Sequence, residues 1–454
     1  MIFIEIKELV EQKKWTALKN KLTELNIADI AEFLETLEKP ELIKIFRLLP
    51  KEISAEAFTH VPSDMQQTII ESITDKEISF IIDEIFLDDT IDFIEEMPSN
   101  VVRRVLKNTD SENRKLINQF LNYPEDSAGS LMTIEYVSLK RTDTVERALE
   151  IIRTHGVNKE TINTCYVRSS PGRVLEGAVS IRDIILAAPG TLIGDLMNTN
   201  VISTQTLADQ EKVVSLFKKY DLTAMPVVDR ENRIVGIITV DDIVEVIEQE
   251  ATEDIQKMAA VIPTEQEYLK TGVFSQAGHR IMWLMILMIS ATVTSHIMAG
   301  YESMLATSTV LLLFIPMLMG TGGNAGSQAA TLVIRGLAVG EIHRVDFFRV
   351  LWKELRVGLT TGAMLGGVNF IKIILFDNMV FGREIELMVI LTISLALMCT
   401  VTVAKITGGV LPIIAKFFRI DPAIMASPII STSTDAISLL VFFNLAVWIL
   451  GLTV

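Results

Sequence analysis

Cysteine is nearly absent: Cys165 and Cys399 are the only two in 454 residues. One lies in a polar half and one in an apolar run, which excludes a disulfide framework and a CxxC metal site. Histidine is scarce too, at five residues, and His155, His279, His296 and His343 are scattered. No nucleophile–base pair or P-loop accompanies them, so an enzyme is not expected. The start, MIFIEIKELVEQKKW, lacks a basic segment leading into an apolar one. No signal peptide is read there, and the polar half is expected to stay in the cytoplasm. Positive charge is also in deficit, with 41 Lys+Arg against 57 Asp+Glu and a net charge of -16. That argues against a nucleic-acid partner and in favour of cations.

The deficit is local. Residues 1–270 hold 30 Lys+Arg and 48 Asp+Glu, a net of -18, whereas residues 271–454 hold 11 and 9, a net of +2. The mean hydropathy is nevertheless +0.39. An acidic, water-facing half is therefore joined to an apolar half, and the length suggests about three domains.

Residues 1–125 read as a series of short amphipathic helices, as in Ile30, Phe33, Leu34 and Leu37, punctuated by Pro50, Pro62, Pro98 and Pro124. IADIAEFLETL and DDTIDFIEEMP are loose copies of one helical unit, which points to a helical superhelix. Between residues 126 and 250 a second repeat appears. AGSLMT at 128–133 is matched by IGDLMN at 193–198, and GAVSIRDI at 177–184 by GIITVDDI at 236–243. Each copy combines an LM opening, a helical stretch, a short strand, a turn and a second strand running into a helix. These features resemble a tandem CBS pair, an α/β module. The resemblance implies that Ser180 with Asp183, and Thr239 with Asp242, bind the phosphate and ribose of ATP or another adenine nucleotide. A strand end meeting a helix N-terminus suits such an anion. Residues 241–270 are expected to form one connecting helix, broken near Pro263.

Beyond residue 280 the apolar runs reach the roughly 20 residues needed to cross a bilayer. Spans are expected near 281–300, 305–334, 356–376, 386–411 and 424–451, the second kinked at Pro316. Arg280, Arg335, Arg344, Arg349, Lys353, Arg356, Lys416 and Arg419 fall on one side, with Arg383 alone on the other. By the bias of basic loops, the polar half lies inside the cell and the C-terminus outside. Residues 341–356 are expected to lie along the inner surface.

A carboxylate near a span centre costs about 2.5–3.5 kcal/mol on insertion scales. Asp435, preceded by the hydroxyls of Ser431–Thr434, stands in such a place. Span two carries PMLMGTGGNAGSQ, whose glycines allow close approach and whose Asn324, Ser327 and Gln328 add neutral polar groups. Carboxylate, amide, hydroxyl and carbonyl oxygens suit a hard divalent ion such as Mg²⁺. One Asp per chain is too little charge, and a symmetric dimer would bring two Asp435 side chains together.

PMLMGTGGNAGSQ, PIISTSTD and the order of domains resemble the MgtE family of magnesium channels along essentially the whole chain. The resemblance implies an acidic all-α superhelical domain at 1–125, a CBS pair at 126–250, a connecting plug helix at 251–275 and a five-helix membrane domain at 276–454. It implies a homodimer in the cell membrane with a Mg²⁺ pore at the dimer axis, lined by Asp435 and Asn324, with Asp421 at the inner mouth. Ser327 stands where the family often has Asn.

The segment 241–254 contains seven acids and no Lys or Arg. Its five like-charge pairs at i,i+3 or i,i+4 strain a helix by roughly 1–2.5 kcal/mol. Cytosolic Mg²⁺ is expected to relieve such repulsion and favour a closed pore. The resemblance supports Asp88, Asp92, Asp209, Glu211, Asp221, Asp242, Glu245, Glu250, Glu253 and Asp254 as sensor candidates. The competing expectations are a proton- or sodium-coupled carrier of another divalent cation, and a membrane-anchored nucleotide sensor.

Overall fold

The computed structural model describes every residue except 1, 171, 265–267, 270, 426 and 453–454. It divides into two compact units, Met1–Ile247 and Glu248–Val454.

The first unit opens with ten short helices, from α1 (Ile2–Glu11) to α10 (Ser111–Phe120). Pro50, Pro62 and Pro98 each stand immediately before a helix. There their missing N–H costs nothing, and their fixed φ starts the turn. Helices two apart in sequence pack on one another, which winds the series into a superhelix. Arg104 fastens neighbouring turns, donating to the Ile70 and Ile73 carbonyls at 2.7 Å each and to Asp75 at 3.1 Å.

Two three-stranded sheets follow: β1 (Tyr136–Leu139), β2 (Thr161–Arg168) and β3 (Leu175–Ser180), then β4 (Thr204–Gln205), β5 (Ala224–Val228) and β6 (Ile234–Thr239). In each, the first pair is parallel and the second antiparallel. The two copies exchange their LM openings. Thr133 exchanges two hydrogen bonds of 2.8 Å with Ile237 on β6, while Asn198 bonds reciprocally with Ala178 on β3. Each opening therefore begins one copy in sequence and hydrogen-bonds to the sheet of the other. The exchange explains two glycines. A Cβ on Gly177 would meet Met197 Sδ at 2.8 Å, and one on Gly236 would meet the Thr133 carbonyl at 2.7 Å. The core of the second copy is continuous with that of the helical domain, through Val213, Met225, Ile238 and Val246.

Helix α15 (Val240–Met258) leaves β6 directly. It ends five residues before Pro263, not at it. Ala260 takes a φ of 55°, and both polar atoms of the Gln256 amide are bonded to the Thr264 backbone, at 2.7 and 3.0 Å.

The second unit contains α16 (Val273–Gly300), α17 (Glu302–Thr307), α18 (Ile315–Ala338), α19 (Phe347–Lys372), α20 (Leu387–Phe417) and α21 (Ser427–Leu450). Five of its helical segments are long and apolar enough to cross a membrane: Val273–Gly300, Thr309–Ala338, Arg344–Val380, Leu387–Phe417 and Pro422–Leu450. Pro316 stands inside the second of these, in the first turn of α18, where the 3-10 segment Thr309–Phe314 gives way to the α-helix and proline is tolerated. Residues 347–356 open α19, which runs through them unbroken. Helix α20 is the hub, packed on α18, α19 and α21. At the tightest crossing, a Cβ on Gly408 would run into the Gly326 carbonyl.

Candidate cation sites

Asp88, Asp89 and Asp92 lie on α8 (Leu87–Glu95), and Asp241, Asp242 and Glu245 lie in the first turns of α15. Folding brings these two acidic segments together, and Glu160 joins them from the residue preceding β2. Asp88 is 8% exposed, and its Oδ1 has no hydrogen-bond partner. Burial, then Asp242 and Asp89, pushes its carboxyl well above the usual range. Burial followed by Asp242 takes Asp89 to about 6 and Asp92 to about 8. Asp92 keeps part of its surface in solvent, so screening tempers its repulsion. Glu160 rises to about 7 through burial and then Asp241 and Asp242. Asp242 rises to about 6 through burial, although Thr239 opposes the shift by donating to Oδ2 from its hydroxyl at 2.8 Å and its N–H at 3.2 Å. Carboxylates dominate the charges that shift this cluster.

Asp88, Asp92, Asp242 and Glu245 are thus brought together. Asp89, Asp241 and Glu160 are additional members. The other sensor candidates lie elsewhere. Asp209 caps α14 (Gln210–Tyr220) by accepting from the Glu211 N–H at 2.9 Å, and Asp221 closes the same helix with a φ of 50°. Eleven residues of helix span roughly 16 Å, so no single ion joins the two ends. Glu250, Glu253 and Asp254 occupy the last turns of α15. Burial, then Asp421 and Glu250, raises Asp254 to about 6. Lys257 bridges Glu253 and Asp421, at 2.7 and 2.8 Å. Among the described residues, no three His, Cys, Asp or Glu side chains form a group that could hold a metal ion directly.

In the membrane unit, Gly322, Gly323 and Gly326 face the neighbouring helices, where added Cβ atoms would meet Ser438, Ser431 and Ile430. Those glycines serve close packing. Pro316, Gly320, Asn324, Gln328, Thr331 and Arg335 instead form an exposed stripe along α18. Asp435 is half-buried on α21, and the hydroxyls of Thr432, Thr434 and Ser438 donate to carbonyls of their own helix. Sequence reasoning missed buried charges here, among them Lys405 on α20, 7% exposed, and Glu354 on α19, 9% exposed. A charge interrupting an apolar run was the available signal. Lys405 Nζ donates to Gln328 at 3.4 Å and lines a cavity of about 350 Å³ with Thr321, Asn324 and Thr361.

The hydroxyl–carboxylate pairs of the CBS copies have a local task. Ser180 donates to Asp183 at 2.7 Å and accepts from its N–H, capping α12 (Ile181–Leu186), while Thr239 and Asp242 pair at the start of α15.

An acidic helical domain, a CBS pair and five apolar helices define a multidomain membrane protein, and comparison with known proteins places it among divalent-cation transporters. The MgtE family profile, described as a divalent cation transporter, matches residues 315–445. The MgtE intracellular N domain matches 25–126, and CBS domains match 128–190 and 193–249. The magnesium transporter MgtE of Thermus thermophilus is 34% identical over 446 residues, covering 98% of this chain and 97% of the relative. That of Bacillus subtilis is 30% identical over 433 residues, covering 92% and 94%. The chain belongs to the MgtE family. The crystal structure of the cytosolic domain of the Mg²⁺ channel MgtE in complex with ATP is similar at a TM-score of 0.51 and 34% identity, covering 54% of this chain and 99% of that one. The soluble part of a magnesium transporter is similar at 0.52 and 27%, covering 55% and 98%.

Proposed function

We propose that this chain is a Mg²⁺-selective channel or transporter of the cell membrane, shut by cytosolic Mg²⁺. The acidic half lies in the cytoplasm and the C-terminus outside. The observation that carries the gating reading is the convergence of α8, Glu160 and the start of α15 on one another through carboxylates. Such an arrangement is strained while the acids are charged, and a divalent cation relieves it. Mg²⁺ keeps several of its waters and takes few carboxylates, so a spread cluster suits it better than a tight cage. A ligand shifts such an equilibrium through its different affinity for the two states, and only the converged state gathers the charges.

Transport rests on the membrane unit. Asp435 and Asn324 are the pore residues, with Asp421 at the inner mouth. The polar stripe on α18 is a poor face for lipid, which favours a homodimer whose second copy completes a watery path. The relatives' names supply the ion, Mg²⁺. The ATP held by a relative's cytosolic domain supports an adenine nucleotide near Ser180, Asp183, Thr239 and Asp242.

Asp435→Asn tests the pore. Mg²⁺ flux into proteoliposomes is expected to fall at least tenfold at equal protein content. Undiminished flux would remove Asp435 from the path, and strict dependence on a proton gradient in the unaltered protein would replace the channel with a carrier.

A further inference from the structure

Lys257 lies four residues after Glu253, on the same face of α15. Its ammonium donates to Glu253 Oε1 at 2.7 Å and to Asp421 Oδ2 at 2.8 Å. The other Asp421 oxygen accepts from the Ala423 N–H at 2.8 Å, which fixes the carboxylate at the turn before α21. The side chains of Lys257 and Asp421 are 21% and 33% exposed, so the bridge is partly withdrawn from water. Asp254 is close enough for its carboxylate to feel both Asp421 and Lys257.

One positive charge therefore stands between two carboxylates from separate elements. A divalent ion joining Glu253 to Asp421 would need that same place. An ammonium offers three donors on a flexible four-carbon stem, so it can hold two carboxylates and also swing away. A neutral side chain lacks that combination.

We propose that Lys257 is a tethered competitor of the regulatory cation at the inner mouth. Its ammonium holds Glu253 and Asp421 together when the ion is scarce, and the ion must displace it to bind. This rests on the reading that Glu253, Asp254 and Asp421 take part in closure by cytosolic Mg²⁺. The competition raises the Mg²⁺ concentration needed for closure. Two charge-assisted bonds in a half-solvated place make the effect about tenfold, equivalent to roughly 1.4 kcal/mol.

The test uses the full chain in liposomes, with flux recorded against Mg²⁺ on the cytosolic face. Lys257→Met is expected to lower the half-closing Mg²⁺ concentration about tenfold, and Lys257→Arg, which keeps the charge, to stay near the unaltered protein. A midpoint in Lys257→Met that is unchanged or raised overturns the proposal. A second measurement does not depend on gating. Acylation of the Lys257 amine in the unaltered chain, read by site-resolved mass spectrometry, is expected to rise severalfold as Mg²⁺ is added. Constant or falling reactivity overturns the competition. If flux ignores cytosolic Mg²⁺ while Lys257 still becomes more reactive, the gating reading fails and the competition stands.

Discussion

Replacing Asp242 with Asn is expected to strengthen the packing of α8 against α15. Asp242 is the charge its neighbours share, acting on Asp88, Asp89, Asp92 and Glu160. Its own pKa rises from 3.8 to about 6. At 1.36 kcal/mol per unit, the ionised form opposes packing by about 3 kcal/mol. Asn keeps an acceptor for Thr239 but loses the charge on that bond, which offsets about 1 kcal/mol. The net gain of about 2 kcal/mol corresponds to roughly thirtyfold slower opening. The folded-state pKa lies above the unfolded one, so the opposition is absent below about pH 4, grows through pH 6 and is complete above it. Hydrogen exchange of the α8 amides in the full chain, without divalent ions at pH 8, reads the effect. The difference between variant and unaltered protein is expected to shrink by pH 5. Added Mg²⁺ is expected to slow exchange more in the unaltered protein than in the variant. Exchange in Asp242→Asn as fast as in the unaltered protein at pH 8 would refute the reasoning.

Gly408→Ala drives a methyl into the Gly326 carbonyl at the α18–α20 crossing, and overpacking of this kind costs about 1–3 kcal/mol. Thermal unfolding in detergent should fall by several degrees, and an unchanged midpoint would mean that the helices separate easily. Asp183→Ala removes one hydroxyl–carboxylate pair of the CBS copies. Calorimetric titration with ATP should weaken at least fivefold if the nucleotide lies there, and identical affinity moves it to another surface.

Much of the architecture was readable because it rests on local pattern. Helical spacing, the doubled LM and glycine phrases and five long apolar runs are all properties of short windows. The CBS exchange escaped because a period read along the chain assigns Thr133 to the copy that follows it, whereas hydrogen bonding assigns it to β6. Asp88, Asp92, Asp242 and Glu245 were candidates through resemblance and charge density. Asp89, Asp241 and Glu160 were not, because only tertiary packing brings Glu160 to α8 and α15. Pro263 looked like the break in the connecting helix, yet the Gln256–Thr264 bonds and the left-handed Ala260 interrupt it sooner. Lys405 and Glu354 were overlooked because attention went to a single acid in a single span. Lys257 was invisible as a partner of Asp421, since 164 residues separate them.

The most direct test is current across a patch containing the unaltered protein while Mg²⁺ on the cytosolic face is raised from zero to millimolar levels. A Mg²⁺ current that flows at zero and shuts reversibly as cytosolic Mg²⁺ rises is the predicted result. A current indifferent to cytosolic Mg²⁺ would contradict the sensor, and no Mg²⁺ current under any condition would contradict the pore.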